Sequence, residues 1–75
     1  MTEEILKIYN KYDCGDIEDK DAARKIVELF LNQHTDKKNL IDELYKKYNS
    51  GNIDSGDFLM RVMNIIEETY PNLYE

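Results

Sequence analysis

Seventy-five residues with sixteen acids against ten Lys and Arg leave room for one domain, and at that length only about 60% of the unfolded chain's surface can be buried. A composition 41% hydrophobic and 35% charged is too apolar for a disordered chain and too charged for a membrane span. The net charge of −6 opposes direct nucleic-acid binding, which rests on phosphate neutralisation by Lys and Arg, and favours a larger, partly basic protein as partner.

The chain opens with Glu3 and Glu4, where a secretory signal would carry positive charge ahead of an apolar segment. Its single Cys, Cys14, cannot close an internal disulfide, so a reduced thiol and a cytoplasmic location are expected. From Ile5 the apolar residues fall at Ile5, Ile8, Tyr9 and Tyr12, the i, i+3, i+4, i+7 stripe of a half-buried helix. Gly15 then supplies a stop, because it adopts a positive φ without steric cost, and Asp13 before it is turn-prone.

A second helix is predicted to start at Glu18 or Asp19 and to run through Ala22, Ala23, Ile26, Val27, Leu29 and Phe30. Glu is a poor N-cap, so Asp19 is the expected cap, with Asp21 near the positive end of the macrodipole. His34 is expected at the exposed end of this helix, where a cation is favoured. Gln33 to Asp36 reads as a short polar link, with Thr35 as the expected cap of the third helix.

The third helix repeats the first, with a stripe at Ile41, Leu44, Tyr45 and Tyr48 and a glycine stop at Gly51. In the fourth, Asp54 is the predicted N-cap, Asp57 sits at N3, and Ile53 at N′ faces Phe58 at N4 as a hydrophobic staple. Phe58, Leu59, Val62, Met63, Ile65 and Ile66 continue its apolar face. Gly56 in the first turn is expected to fray that end. Pro71 should end the helix near Thr69, leaving a tail of residues 70–75.

Shifting the chain on itself by 36 residues superposes Ile5 on Ile41, Tyr9 on Tyr45, Lys11 on Lys47, Tyr12 on Tyr48, Gly15 on Gly51, Ile17 on Ile53 and Asp21 on Asp57. Seven identities in the 26 positions from Ile5 to Phe30 exceed the roughly one or two that ordinary residue usage gives by chance. The expected architecture is therefore all-α: a single domain, 1–75, of two tandem helix-turn-helix hairpins, 3–34 and 36–69, packed as a small four-helix bundle. The second helix of each hairpin has the broader apolar face and is expected at the centre.

No constellation points to catalysis or to a bound cofactor. A helix, glycine loop, helix layout invites an EF-hand register with Gly15 and Gly51 at loop position 6 and Asp21 and Asp57 at position 12. The ligand positions 1, 3 and 5 would then be Asn10, Tyr12 and Cys14, or Lys46, Tyr48 and Ser50, where a hard cation needs carboxylates. A degenerate calcium-binding protein is thus the least favoured reading, and no metal site is expected. One His and one Cys cannot form a zinc set, and the acidic surroundings of Cys14 disfavour its thiolate as a nucleophile.

Two features point to a partner. Asp13, Asp16, Glu18, Asp19 and Asp21 place five acids within nine residues of the first loop, whereas the second loop is mostly Asn and Ser. Residues 1–36 carry nine acids and five bases, and residues 37–75 seven and five, giving −4 and −2. Tyr70, Leu73 and Tyr74 lie at or beyond the last helix, where exposed aromatic and apolar side chains would serve as binding anchors.

The segment from Leu44 through Tyr45, Lys46, Lys47, Tyr48, Asn49, Ser50, Gly51, Asn52, Ile53, Asp54, Ser55, Gly56 and Asp57 to Phe58 resembles a hairpin of short C-terminal bacterial domains and of colicin-type immunity proteins. The likeness covers each hairpin, though duplication departs from those single-hairpin patterns, and it implies a helical hairpin fold. The function expected is that of a small acidic protein-binding inhibitor, of the phage anti-defence or bacterial immunity type, that blocks the surface of a larger protein. The alternative is a structural or regulatory subunit that forms a homodimer through its tyrosine-bearing faces.

Overall fold

The computed structural model describes residues 2–73. The described residues form four α-helices, α1 (Thr2–Asp13), α2 (Asp19–Gln33), α3 (Lys38–Asn49) and α4 (Ser55–Thr69), with a 3-10 turn over Thr35–Lys37 between α2 and α3. No strand occurs among the described residues. The bounds of α3 and α4 lie 36 residues after those of α1 and α2 at both ends.

Both hairpin turns close in the same way. Gly15 and Gly51 take φ of +87° and +84°. The amide of Asp16 donates to the Lys11 carbonyl at 2.8 Å and that of Gly15 to the Tyr12 carbonyl at 3.0 Å. In the second turn Asn52 donates to Lys47 at 2.9 Å and Gly51 to Tyr48 at 3.1 Å. These are the paired 6→1 and 5→2 bonds of a Schellman C-cap, which satisfy carbonyls the helix end would otherwise leave orphaned.

The helix starts differ. Asp54 is the N-cap of α4, and its Oδ1 accepts from the Asp57 amide at 2.8 Å. Glu18 holds the N-cap position of α2 without a side-chain cap bond. Asp19, the expected alternative cap, instead accepts from the Lys20 amide and from the Ser55 hydroxyl, both at 2.8 Å. Thr35 does not cap α3; it opens the 3-10 turn, which has no side-chain cap. At the far end α4 stops at Thr69, and Tyr70 before Pro71 leaves the helical region at φ −124° and ψ 82°, in keeping with the bias of a following proline's ring against the α conformation.

α1 packs on α2, α3 on α4, and α2 on α4. Ala22, Ala23, Ile26, Val27 and Phe30 of α2 and Phe58, Leu59, Val62, Met63 and Ile66 of α4 are buried, joined by Ile5 from α1, Ile41 and Leu44 from α3, and Leu73. The second helix of each hairpin thus forms the centre, each buried large side chain contributing about 1.5–3 kcal/mol of transfer free energy. Asp19 and Ser55 meet at the starts of α2 and α4, and His34 and Tyr70 at their ends. The two central helices therefore run parallel, with residues 36 apart touching at both ends. The Cα radius of gyration, 11.6 Å, matches the roughly 11 Å of a compact single domain of this length.

Gly56, expected to weaken the start of α4, has a packing role there. A Cβ at this position would crowd Asp54 Oδ1 at 3.3 Å and would touch Asp19 Oδ2 at an ordinary 3.6 Å, so the bare backbone gives room chiefly to the capping carboxylate of Asp54.

Candidate functional site

The first hairpin turn exposes Asp13, Asp16 and Glu18, which surround Gly15 at the rim between α1 and α2. The Schellman bonds fix the backbone that carries them, so these charges stand on an ordered turn. Glu18 is 71% exposed and faces the Lys20 ammonium at 3.5 Å, a contact that solvent largely screens.

Asp19 and Asp21, counted with this cluster on sequence, are drawn away from it. Both are half-buried. Asp19 turns to the α4 start and accepts from Ser55, and Asp21 faces Arg24 at 3.6 Å one turn along α2. Asp19 is thus committed to the fold, the pair of Asp21 with the exposed Arg24 is screened as that of Glu18 is, and Asp13, Asp16 and Glu18 are the three of the five that stand fully open. The corresponding positions of the second turn hold Asn49, Asn52 and Asp54, of which Asp54 is committed to its cap.

The tail anchors are also relocated. Leu73 is 4% exposed and belongs to the core, because the backbone bond from its amide to the Tyr70 carbonyl at 3.0 Å folds residues 70–73 back. Tyr70 is half-buried, its hydroxyl bonded to His34 Nε2 and its ring edge-on to the imidazole at 5.3 Å. Tyr74 lies outside the described residues. His34, expected in solvent, is instead half-buried and stacked on Phe30 at 4.8 Å. Cys14 and His34 lie beyond opposite ends of α2, a helix of fifteen residues and so about 22 Å long, which separates the thiol from the imidazole.

A groove went unseen in the sequence. Lys20, Asp21 and Arg24 of α2, Tyr45 and Tyr48 of α3, and Phe58 of α4 line a surface cleft of about 410 Å³. Phe58 forms an aromatic floor, stacked with Tyr48 at 5.3 Å and 13° and tilted against Tyr45 at 4.7 Å and 49°. Burial raises the Tyr45 pKa above 10.0, with Asp42 and Tyr48 adding to the rise and Arg24 opposing it. The i, i+3 spacing of the tyrosines and the i, i+4 spacing of Lys20 and Arg24 were legible; that two helices from different hairpins bring them together was not. Leu40 and Met60, about half exposed, are large apolar side chains that also reach the surface. Comparison of the chain with models of known protein families, with curated proteins and with solved structures finds no match.

Proposed function

We propose that this chain is a non-enzymatic protein-binding module that docks its first hairpin turn on a larger, partly basic protein and blocks the surface it covers. The observation that carries the reading is the asymmetry between two turns of equal backbone geometry. Both close on a positive-φ glycine with the same bonds, yet Asp13, Asp16 and Glu18 stand exposed on one where the other has Asn49, Asn52 and a capping Asp54. Helix termination needs the glycine and not the extra acids, so the surplus charge at one turn calls for an explanation outside the fold.

A rigid acidic rim supports steered association with a basic patch, since complementary charge raises the on-rate and fixes orientation. The small size and net charge of −6 suit an inhibitor of the phage anti-defence or bacterial immunity kind. Such a module needs no cofactor. Binding should weaken as ionic strength rises, and the triple variant Asp13→Asn, Asp16→Asn, Glu18→Gln should lose at least about tenfold in affinity, chiefly through its on-rate. Surface plasmon resonance against the captured target at two salt concentrations tests this; unchanged kinetics in the triple variant would place the contact elsewhere.

A further inference from the structure

We infer that the groove between α2 and α3 is a second contact, opposite in sign to the first turn, which takes an acidic side chain carried next to an aromatic one on an exposed segment of a protein partner. The inference rests on the reading that this chain docks on another protein. Its test needs no target, so it stands or fails apart from the acidic rim.

Two cations and three aromatic rings converge in this groove. Lys20 and Arg24 stand one turn apart on α2, Tyr45 and Tyr48 one turn apart on α3, and Phe58 of α4 closes the floor. A cleft of about 410 Å³ is at the small end of the roughly 300–1,000 Å³ of ligand clefts, which suits a side chain or two better than a folded surface.

Both cations are open to a ligand. Their side chains are 62% and 70% exposed, and the carboxylates they face, Glu18 and Asp21, lie at 3.5 and 3.6 Å, beyond the roughly 2.7–2.9 Å of a charge-assisted hydrogen bond. Donors on the ammonium and the guanidinium are thus left for a closer anion, and the planar fork of an arginine matches the two oxygens of a carboxylate. Arg24 also acts on the aromatic wall, where its charge opposes the rise that burial causes in the Tyr45 pKa. Two cations against the one carboxylate of Asp21 leave the groove at +1 on a chain of −6. Tyr45 and Tyr48 are half-buried against Phe58, and each keeps part of its ring toward the groove, where an aromatic side chain packs offset or edge-on.

The fold does not ask for these cations. Positions 36 residues away keep the tyrosines, as Tyr9 and Tyr12, but hold Gly56 and Met60 in place of Lys20 and Arg24, and Ala22 in place of Phe58. Nucleic acid is disfavoured as the occupant, because Asp13, Asp16 and Glu18 just ahead of Lys20 repel a run of phosphates far more than a single carboxylate.

The test titrates the isotope-labelled full chain, at low ionic strength, with two capped dipeptides, N-acetyl-Phe-Glu-amide and N-acetyl-Phe-Gln-amide, which differ in charge and hardly in shape. Backbone amide shifts followed by NMR should gather at Lys20, Arg24, Tyr45 and Tyr48. The Glu peptide should bind about two- to fivefold more tightly than the Gln peptide, the scale of an exposed ion pair. Arg24→Gln should abolish that preference; the residue is exposed, so the variant keeps its core, and its amide spectrum without peptide checks this. Arg61→Gln removes an exposed cation of α4 outside the groove and should preserve the preference, which separates the groove from net charge. Shifts scattered over the surface, equal affinity for the two peptides, or a preference that survives Arg24→Gln or is lost equally in Arg61→Gln overturns the proposal.

Discussion

Phe58→Ala is the severest truncation available in the second hairpin, and its cost is set by what the ring touches. The side chain is 2% exposed and lies between Tyr48, stacked at 5.3 Å, and Tyr45, tilted at 4.7 Å. Neither tyrosine can follow the missing ring into the core, because each is anchored on the α3 backbone and half-buried at the rim of the groove, so the cavity should stay largely open. Burial and cavity terms for such a change amount to about 3–5 kcal/mol. A 75-residue domain holds about 4–11 kcal/mol in all, so the variant gives up from about a quarter to all of its stability. Urea unfolding followed by helical circular dichroism should show the midpoint falling by at least about 1 M for a slope in the usual range, with the near-ultraviolet tyrosine signal reduced in the native baseline. A loss under about 1 kcal/mol would refute the view that this ring is the keystone between α3 and α4.

The two hairpin turns should respond alike to substitution. Nothing lies within 4 Å of a Cβ built on Gly15 or Gly51, so Gly→Ala at either costs only the strain of a φ of +87° or +84°, about 1–2 kcal/mol, read as equal shifts in urea midpoint. The helix starts should not: Asp54→Ala loses a formed cap bond and about 1 kcal/mol, while Glu18→Ala, which removes no cap bond, should stay within about 0.5 kcal/mol in the same assay. Burial raises the Tyr45 pKa in the folded state above the 10.0 of an exposed phenol. The neutral phenol is therefore the form the fold prefers, and its contribution is full below pH 10.0 and is lost as pH rises through the folded value. Tyr45→Phe should flatten the fall in urea midpoint across that alkaline range, and an unchanged slope would mean that the hydroxyl titrates as in the unfolded chain.

Local rules were readable from the residues because each depends on near neighbours. The stripe from Ile5 to Tyr12, the glycine stops, the Asp54 cap and the end of α4 before Pro71 all rest on spacing within one or two turns, and the structure has each of them. Features set by residues distant in sequence escaped. His34 and Tyr70 are read apart in the sequence, one exposed at the end of the second helix and the other at the end of the fourth, because their pairing depends on α2 and α4 lying parallel. Leu73 looked like a partner anchor for the same reason. Of the acidic cluster, the number of charges and the i, i+3 spacing of Asp21 and Arg24 were plain in the sequence, but the turning of Asp19 to Ser55, away from the exposed Asp13, Asp16 and Glu18, required the packing of two helix starts.

The proposed contact of a partner with the first hairpin turn, and not with the second, has an internal control at the position 36 residues away. A photo-crosslinking amino acid placed at Asp16 in one variant and at Asn52 in the other, both exposed, should be irradiated in the presence of the captured target and the products identified by mass spectrometry. A covalent adduct from position 16, with little or none from position 52, is the predicted result; equal yields, or an adduct from position 52 alone, would contradict it.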